Sequence, residues 1–325
     1  MELPDTMNAV VFDGPYQVSL QQRPVPKIQN EGDIIVKVLA AGLCGSELHA
    51  FRGNEVVGSG FIMGHEFTGT VVAAGKQVQT VKIGDKVVAP FTVSCMNCFY
   101  CKNGHSSRCV ENQLFGSPRL DGAQADYCRV PFADGTVVKA PPEIDDKALI
   151  LMADIFPTGY FGARNAFNGL GVQDPTESTA VVIGCGPVGL CALVSALEYK
   201  PKHLFAIDSV DSRLEIARSL GAEPLNFKTD PKGMVERIKE VTGGRGSDIV
   251  IEVMPFTATN GYDKNVRIQM GRCPVRSVFQ DALEVLARKQ HMFGFMFEHI
   301  MPLSKAVSGY EMFDKMQVQK VIFEP

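Results

Sequence analysis

Apolar and polar residues alternate over short stretches in the first half of the chain, and glycine and proline break the alternation repeatedly. Ile34 to Ala40, Gly69 to Ala73 and Lys86 to Ala89 are such stretches. A period of two predicts half-buried strands, hence an irregular β domain to about residue 150. From about Phe156 the texture changes to apolar runs alternating with helical stretches, which predicts βαβ units around a parallel sheet. Strands are expected at Thr179–Gly184, His203–Asp208, Pro224–Phe227, Asp248–Val253 and Val266–Gly271, one short of the six usual in a doubly wound dinucleotide fold. A short helix and a final strand, Lys320 to Phe323, are expected after about Glu298.

Composition narrows the function classes. The 325 residues, 45% hydrophobic and 21% charged, suit a soluble protein of two domains. A net charge of -4 offers no basic footprint for nucleic acid or an anionic membrane, so small-molecule chemistry is expected. Met1 to Val11 carries Glu2 and Asp5 and lacks both a basic region and a long apolar run. No secretory signal is expected there, and the location expected is cytoplasmic. Ala180 to Leu197 is uncharged over 18 residues, the lower limit for a membrane span, but Gly184, Gly186, Pro187 and Gly189 interrupt it. A buried strand, a turn and a buried helix explain that run better.

Nine cysteines in such a chain point to metal or redox chemistry rather than to disulfides. Cys95, Cys98, Cys101 and Cys109 form C-x2-C-x2-C-x7-C in a loop that also holds Asn97, Asn103 and Gly104. Four thiolates at this spacing can fill every position of a tetrahedral zinc, which makes the site structural and leaves no place for substrate. His105 lies in the same loop and is read as solvated, while Cys128, Cys185, Cys191 and Cys273 are read as inert buried thiols.

Two further segments, Gly42-Leu43-Cys44-Gly45-Ser46-Glu47-Leu48-His49 and Gly64-His65-Glu66-Phe67-Thr68-Gly69, complete a pattern with the four-cysteine loop. Together they resemble the medium-chain zinc alcohol dehydrogenases. The resemblance implies a GroES-like catalytic domain over residues 1–155 with both zinc sites. It also implies a Rossmann NAD-binding domain over 156–297 and a segment 298–325 returning to the catalytic domain. It further implies that Cys44 and His65 bind the reactive zinc. Many members place a third ligand, a cysteine, where this chain has Met152-Ala153-Asp154-Ile155-Phe156-Pro157-Thr158-Gly159-Tyr160. Asp154 is the candidate here, as in the formaldehyde-dehydrogenase branch, and a carboxylate keeps the charge that a thiolate would bring. Glu66 would add a third anion and weaken the Lewis acid, so a supporting role or transient ligation is expected of it. Ser46 matches the hydroxyl that accepts the alcohol proton and His49 the residue that passes it onward. Each residue alone has a plainer reading; Asp154 could simply cap the helix that follows.

Val181-Val182-Ile183-Gly184-Cys185-Gly186-Pro187-Val188-Gly189-Leu190 places G-x-G-x-x-G after an apolar strand and before a helical stretch. Gly184, Gly186 and Gly189 allow a tight turn and close approach to a pyrophosphate, and the helix start at Pro187 and Val188 offers amides to its charge. Asp208 ends the next strand, where an acid meets the adenosine ribose and repels the extra phosphate of NADP, so NAD is expected. Arg213 is either an adenosine contact or a solvated helix residue. After Met254 only Pro255 to Asn265 precede Lys264-Asn265-Val266-Arg267-Ile268-Gln269-Met270-Gly271-Arg272, the segment resembling the family's last strand. That is too short for a helix and another strand, so one helix and one strand of the Rossmann domain are expected to be missing.

The expected function is hydride transfer between an alcohol, or an aldehyde adduct, and NAD, with two zinc ions per chain. The alternative is a shortened, catalytically impaired member that binds zinc and a partner subunit. A zinc-free quinone or enone reductase is disfavoured by the two metal motifs. Phe51, Phe91 and Phe293 are either pocket-lining or core residues, and a homo-oligomer is expected because family members often associate.

Overall fold

Strand Ile34–Leu43 is the backbone of a seven-stranded sheet in which Ile300–Pro302, Val321–Glu324, Ile34–Leu43, Glu66–Ala74, Lys86–Ala89 and Val138–Lys139 follow one another. Tyr127–Val130 pairs with the same central strand. Ile34, Val36 and Val38 are buried with Phe67, Val71, Val87 and Val130, whereas Lys37 and Leu39 are exposed, which is the alternation that the sequence displays. The hairpin Thr6–Gly14 with Gln17–Pro24 lies in the same unit. The computed structural model describes residues 3–168, 174–252 and 269–325.

Register decides what stands at the end of this sheet. Gly42 lies opposite Glu66 in one neighbour and opposite Ile322 in the other. Cys44, His65 and Lys320 therefore come from three separate parts of the chain to one sheet end. A Cβ at Gly42 would collide with the Glu66 carboxylate and lie 3.2 Å from Lys320 Nζ, so a larger residue there would displace this buried pair. The C-terminal segment completes the packing: Tyr310, Phe313 and Phe323 are buried with Phe12, Leu48 and Phe51.

The chain divides into two compact units, Met1–Asp154 with Pro274–Pro325, and Ile155–Cys273. The helix Val275–Lys289 groups with the first unit, where Ser277 exchanges two hydrogen bonds with Ser106 of the cysteine loop, at 3.1 and 3.2 Å. The second unit holds a four-stranded parallel sheet in the order Glu223–Asn226, His203–Asp208, Thr179–Ile183, Ile249–Glu252. Val181, Phe205 and Ile207 form its buried centre. These four strands fall where hydrophobic runs predict them, to within a residue or two.

The uncharged run Ala180 to Leu197 resolves into the strand, a glycine turn and the buried helix Pro187–Ala196. No described helix is long and apolar enough to cross a membrane. The strand expected at Val266–Gly271 falls mostly outside the described residues, and its last three positions carry no strand. The helix and strand expected to be missing after Met254 likewise concern residues outside that description.

Candidate active site

Among the described residues two groups of metal-ligating side chains converge, with ligand atoms in each group within 4.8 Å of one another. One comprises Cys44, His65, Glu66 and Asp154, and the other Cys95, Cys98, Cys101 and Cys109.

In the first group, Asp154 arrives at the end of the short turn Ile150–Ala153, which the Phe91 amide pins by donating to the Ala153 carbonyl at 3.0 Å. Asp154 Oδ2 lies 3.8 Å from Cys44 Sγ and 3.4 Å from His65 Nε2. Burial alone would hold the His65 pKa down, but the charge of Glu47 and the contacts with Asp154 and Cys44 push it well above the ordinary histidine value. The surroundings of this imidazole thus favour positive charge. A nitrogen, a thiol and a carboxylate at this spacing suit a dication such as zinc.

Glu66 has a cation of its own. Lys320 Nζ bonds Glu66 Oε2, and both side chains are 1% exposed. Burial raises the Glu66 pKa and the Lys320 charge opposes it. The other oxygen, Oε1, is buried without a hydrogen bond. Glu47, the first residue of the helical turn Glu47–Phe51, accepts the Cys44 amide at 2.9 Å, and its Oε1 stands 3.4 Å from His65 Nδ1. Motif matching does not select Glu47 or Lys320. Their signals are a glutamate three residues after Cys44 and a lysine at the head of the apolar run Val321-Ile322-Phe323.

Ser46 Oγ lies 3.5 Å from His65 Nε2, on the solvent side of the group, and His49 is exposed on the following turn. Phe91 lies beside His65 with ring centroids 6.1 Å apart, whereas Phe51 packs on Tyr310 at 5.2 Å in the core and Phe293 is fully buried.

The cysteine loop carries no disulfide. Its sulfurs accept backbone amides: Cys95 N–H donates to Cys109 Sγ at 3.2 Å and Cys98 N–H to Cys95 Sγ at 3.3 Å. Amides of Cys101 and Val110 pull the Cys98 thiol down to about 6, as expected of a sulfur held as thiolate. His105 is exposed.

In the second unit the glycine loop is tight. Gly184 adopts φ +89, and a Cβ on Gly189 would collide with the Gly184 carbonyl. Gly186 caps the helix that begins at Pro187 and continues through Val188, so the first-turn amides lack intrahelical partners. Asp208 accepts the amides of Cys185 at 2.7 Å, Ser209 at 2.6 Å and Val210 at 2.9 Å, and Arg213 Nη1 stands 3.9 Å away.

The family model described as "Alcohol dehydrogenase GroES-like domain" matches residues 30–142, and "Zinc-binding dehydrogenase" matches 187–321. The chain is 56% identical over 353 positions to Zinc-type alcohol dehydrogenase B of Aspergillus flavus, covering 100% of this chain and 82% of that protein. The chain belongs to the zinc-dependent medium-chain alcohol dehydrogenase family. It is an enzyme, a zinc-dependent oxidoreductase, and its family uses zinc and NAD. Its fold pairs a GroES-like domain with a Rossmann-type one. Alcohol dehydrogenase TADH from Thermus sp. ATN1 has the same fold, at 32% identity and a TM-score of 0.88 over 98% of this chain and 99% of that one. The formaldehyde-dehydrogenase branch is the weaker match within the family. The glutathione-independent formaldehyde dehydrogenase of Pseudomonas aeruginosa is 34% identical over 77% of this chain and 65% of its own length.

Proposed function

We propose that the protein passes hydride from an alcohol, or an aldehyde adduct, to NAD+ at a zinc held by Cys44, His65 and Asp154, and that a second zinc is enclosed by the four-cysteine loop. The observation carrying this is the convergence of Cys44 Sγ, His65 and Asp154 at a buried sheet end, in surroundings that favour positive charge. When bound, zinc supplies a Lewis acid that lowers the pKa of a substrate hydroxyl towards neutrality.

The chain's own residues do the rest. Ionised Cys44 and Asp154 with neutral His65 balance a dication, while Lys320 keeps the charge of Glu66 compensated. Ser46 Oγ accepts the hydroxyl proton and His49, exposed on the next turn, hands it to solvent. NAD+, when bound, would supply the hydride acceptor, so the alcohol would give up one proton by way of Ser46 and one hydride to the cofactor. Amides around Gly184, Gly186, Val188 and Gly189 hold the pyrophosphate, with Pro187 setting the first turn. Asp208 accepts the ribose hydroxyls and repels a phosphate there, which favours NAD over NADP, and Arg213 stands at the adenosine end.

Turnover of NAD+ with a panel of alcohols tests this. The Cys44→Ser variant is expected to lose metal from the first centre and at least about 10³-fold in turnover, the several kcal/mol that a Lewis acid supplies. Unchanged turnover in that variant would reject the mechanism.

One observation favours a second reading. The alignment with the Aspergillus flavus protein runs over 353 positions against 325 residues here, so this chain lacks at least 28 positions present in that relative. A Rossmann domain short of a helix and a strand would bind zinc normally and NADH weakly, and NADH fluorescence titration separates the two. The readings share a cytoplasmic homo-oligomer acting on a small molecule, with no part for nucleic acid or membrane.

A further inference from the structure

Behind His65 a buried chain of polar groups runs to the C-terminal helix Ala306–Asp314. Tyr310, Gln124, Glu47 and His65 are 0%, 0%, 6% and 4% exposed. Tyr310 Oη lies 2.9 Å from Gln124 Oε1. Gln124 Nε2 lies 3.5 Å from both Glu47 Oε2 and the Gly42 carbonyl. Glu47 Oε1 has no hydrogen bond of normal geometry, and His65 Nδ1 stands 3.4 Å from it.

The direction of every proton in this chain follows from valence. The Gly42 carbonyl can only accept, and Glu47 Oε2 already accepts the Cys44 amide, so the amide of Gln124 must present its NH2 to them. Its oxygen then faces Tyr310, which must donate. Burial and the nearby Glu47 charge hold the Tyr310 pKa well up, so the phenol keeps its proton. Glu47 Oε2 is occupied by the Cys44 amide and approached by Gln124, which leaves Oε1 for His65. A carboxylate oxygen requires a proton on Nδ1, and a neutral imidazole protonated there has its lone pair on Nε2, the nitrogen that faces Asp154.

The anchors of the chain are rigid. The Gln124 backbone donates to the Met63 carbonyl at 2.9 Å and accepts from Val10 at 2.8 Å. Tyr310 stacks on Phe323 and packs against Phe51.

We propose that Gln124 and Tyr310 are positioning residues of the metal centre: acting through Glu47, they place the proton of His65 on Nδ1 and reserve Nε2 for the metal. The proposal rests on the reading of Cys44, His65 and Asp154 as zinc ligands. Neither residue touches the metal group, and no sequence motif contains them.

The test uses the zinc-loaded full chain. It measures the rate at which a chelator strips the Cys44-dependent zinc, and the tautomer of His65 by nitrogen-15 NMR of histidine-labelled protein. Gln124→Glu, which sets an acceptor against Glu47, is expected to speed zinc loss about 10–100-fold and to shift the His65 proton signal. Tyr310→Phe keeps the ring packing and removes one hydrogen bond, for about a 2–10-fold faster loss. In a Glu47→Gln background the same Tyr310→Phe change is expected to add nothing, because the chain is already cut. Wild-type release rates in both single variants would overturn the proposal, as would a Tyr310→Phe effect of undiminished size in the Glu47→Gln background, which would mark it as packing alone. If Cys44→Ser leaves the zinc content of the protein unchanged, the ligand reading itself fails, a result distinct from either of these.

Discussion

The two metal-ligating groups of the first unit are built in opposite ways. The cysteine group comes from one loop between Cys95 and Cys109, with four ligands of one kind and sulfurs that accept neighbouring amides. The Cys44 group is assembled from residues as far apart as 44 and 154, mixes thiol, imidazole and carboxylate, and has Glu47, Glu66 and Lys320 buried around it. A saturated set of identical ligands holds a metal and can do little else. A mixed set with carboxylates arranged behind it leaves the metal's charge adjustable, and its arrangement depends on the whole sheet.

That contrast is broken most forcefully at Cys101. Cys101→Ser is expected to release zinc from the loop and to destabilise the protein by about 5 kcal/mol or more, the size associated with loss of a structural metal. The Cys44 group should retain its metal in that variant. Thermal unfolding with metal analysis checks this, and simultaneous loss of both metals would show that the two groups are not independent. Next in size is Lys320→Met. It leaves Glu66 buried without its cation, for an expected cost of about 3–5 kcal/mol. Adding Glu66→Gln should recover much of that loss, because the uncompensated charge disappears. Denaturant unfolding of the single and double variants measures the recovery, and an equally unstable double variant would mean that Lys320 acts through packing.

The same contrast explains what could be read from the chain. The cysteine loop is legible because its ligands are neighbours and their spacing is itself the geometry. The strands at Ile34–Leu43 and His203–Asp208 are legible because burial on one face, or on both, leaves a periodic trace. Cys44, His65 and Asp154 carry no local signal of convergence and depend on resemblance to a family. Glu47 and Lys320 leave only faint traces in the sequence, a glutamate three residues after Cys44 and a lysine heading an apolar run, and Gln124 and Tyr310 leave none. Their roles arise from register, Gly42 opposite Glu66 and Ile322, and from helix Ala306–Asp314 packing on the opposite end of the sequence. Asp208 is legible as an acid at a strand end, but its three amide donors are not: Ser209 and Val210 follow from the turn after it, and Cys185 from the glycine loop of the neighbouring strand.

The smallest expected effect concerns the loop once its metal is gone. Amides of Cys101 and Val110 draw the Cys98 thiol down to about 6, whereas burial pushes Cys101 up to about 12. Only the thiolate is alkylated rapidly, so in zinc-stripped protein at pH 7 Cys98 should react well before Cys101. The sign follows from the lowered value: Cys98 loses its proton as pH rises through about 6, and its alkylation rate should fall by half at that pH and continue to fall below it. Cys44 belongs to the other design, in which anions rather than amides surround the sulfur, with Asp154 Oδ2 3.8 Å away. Peptide mapping after brief alkylation between pH 5 and 8 reads all of these positions at once. A Cys98 that reacts no faster than the buried Cys128, whose thiol burial raises far above the ordinary range, would mean that the amides do not hold charge on the loop sulfurs in the absence of metal. In that case the metal itself, and not the backbone, would set the charge of the four-cysteine group.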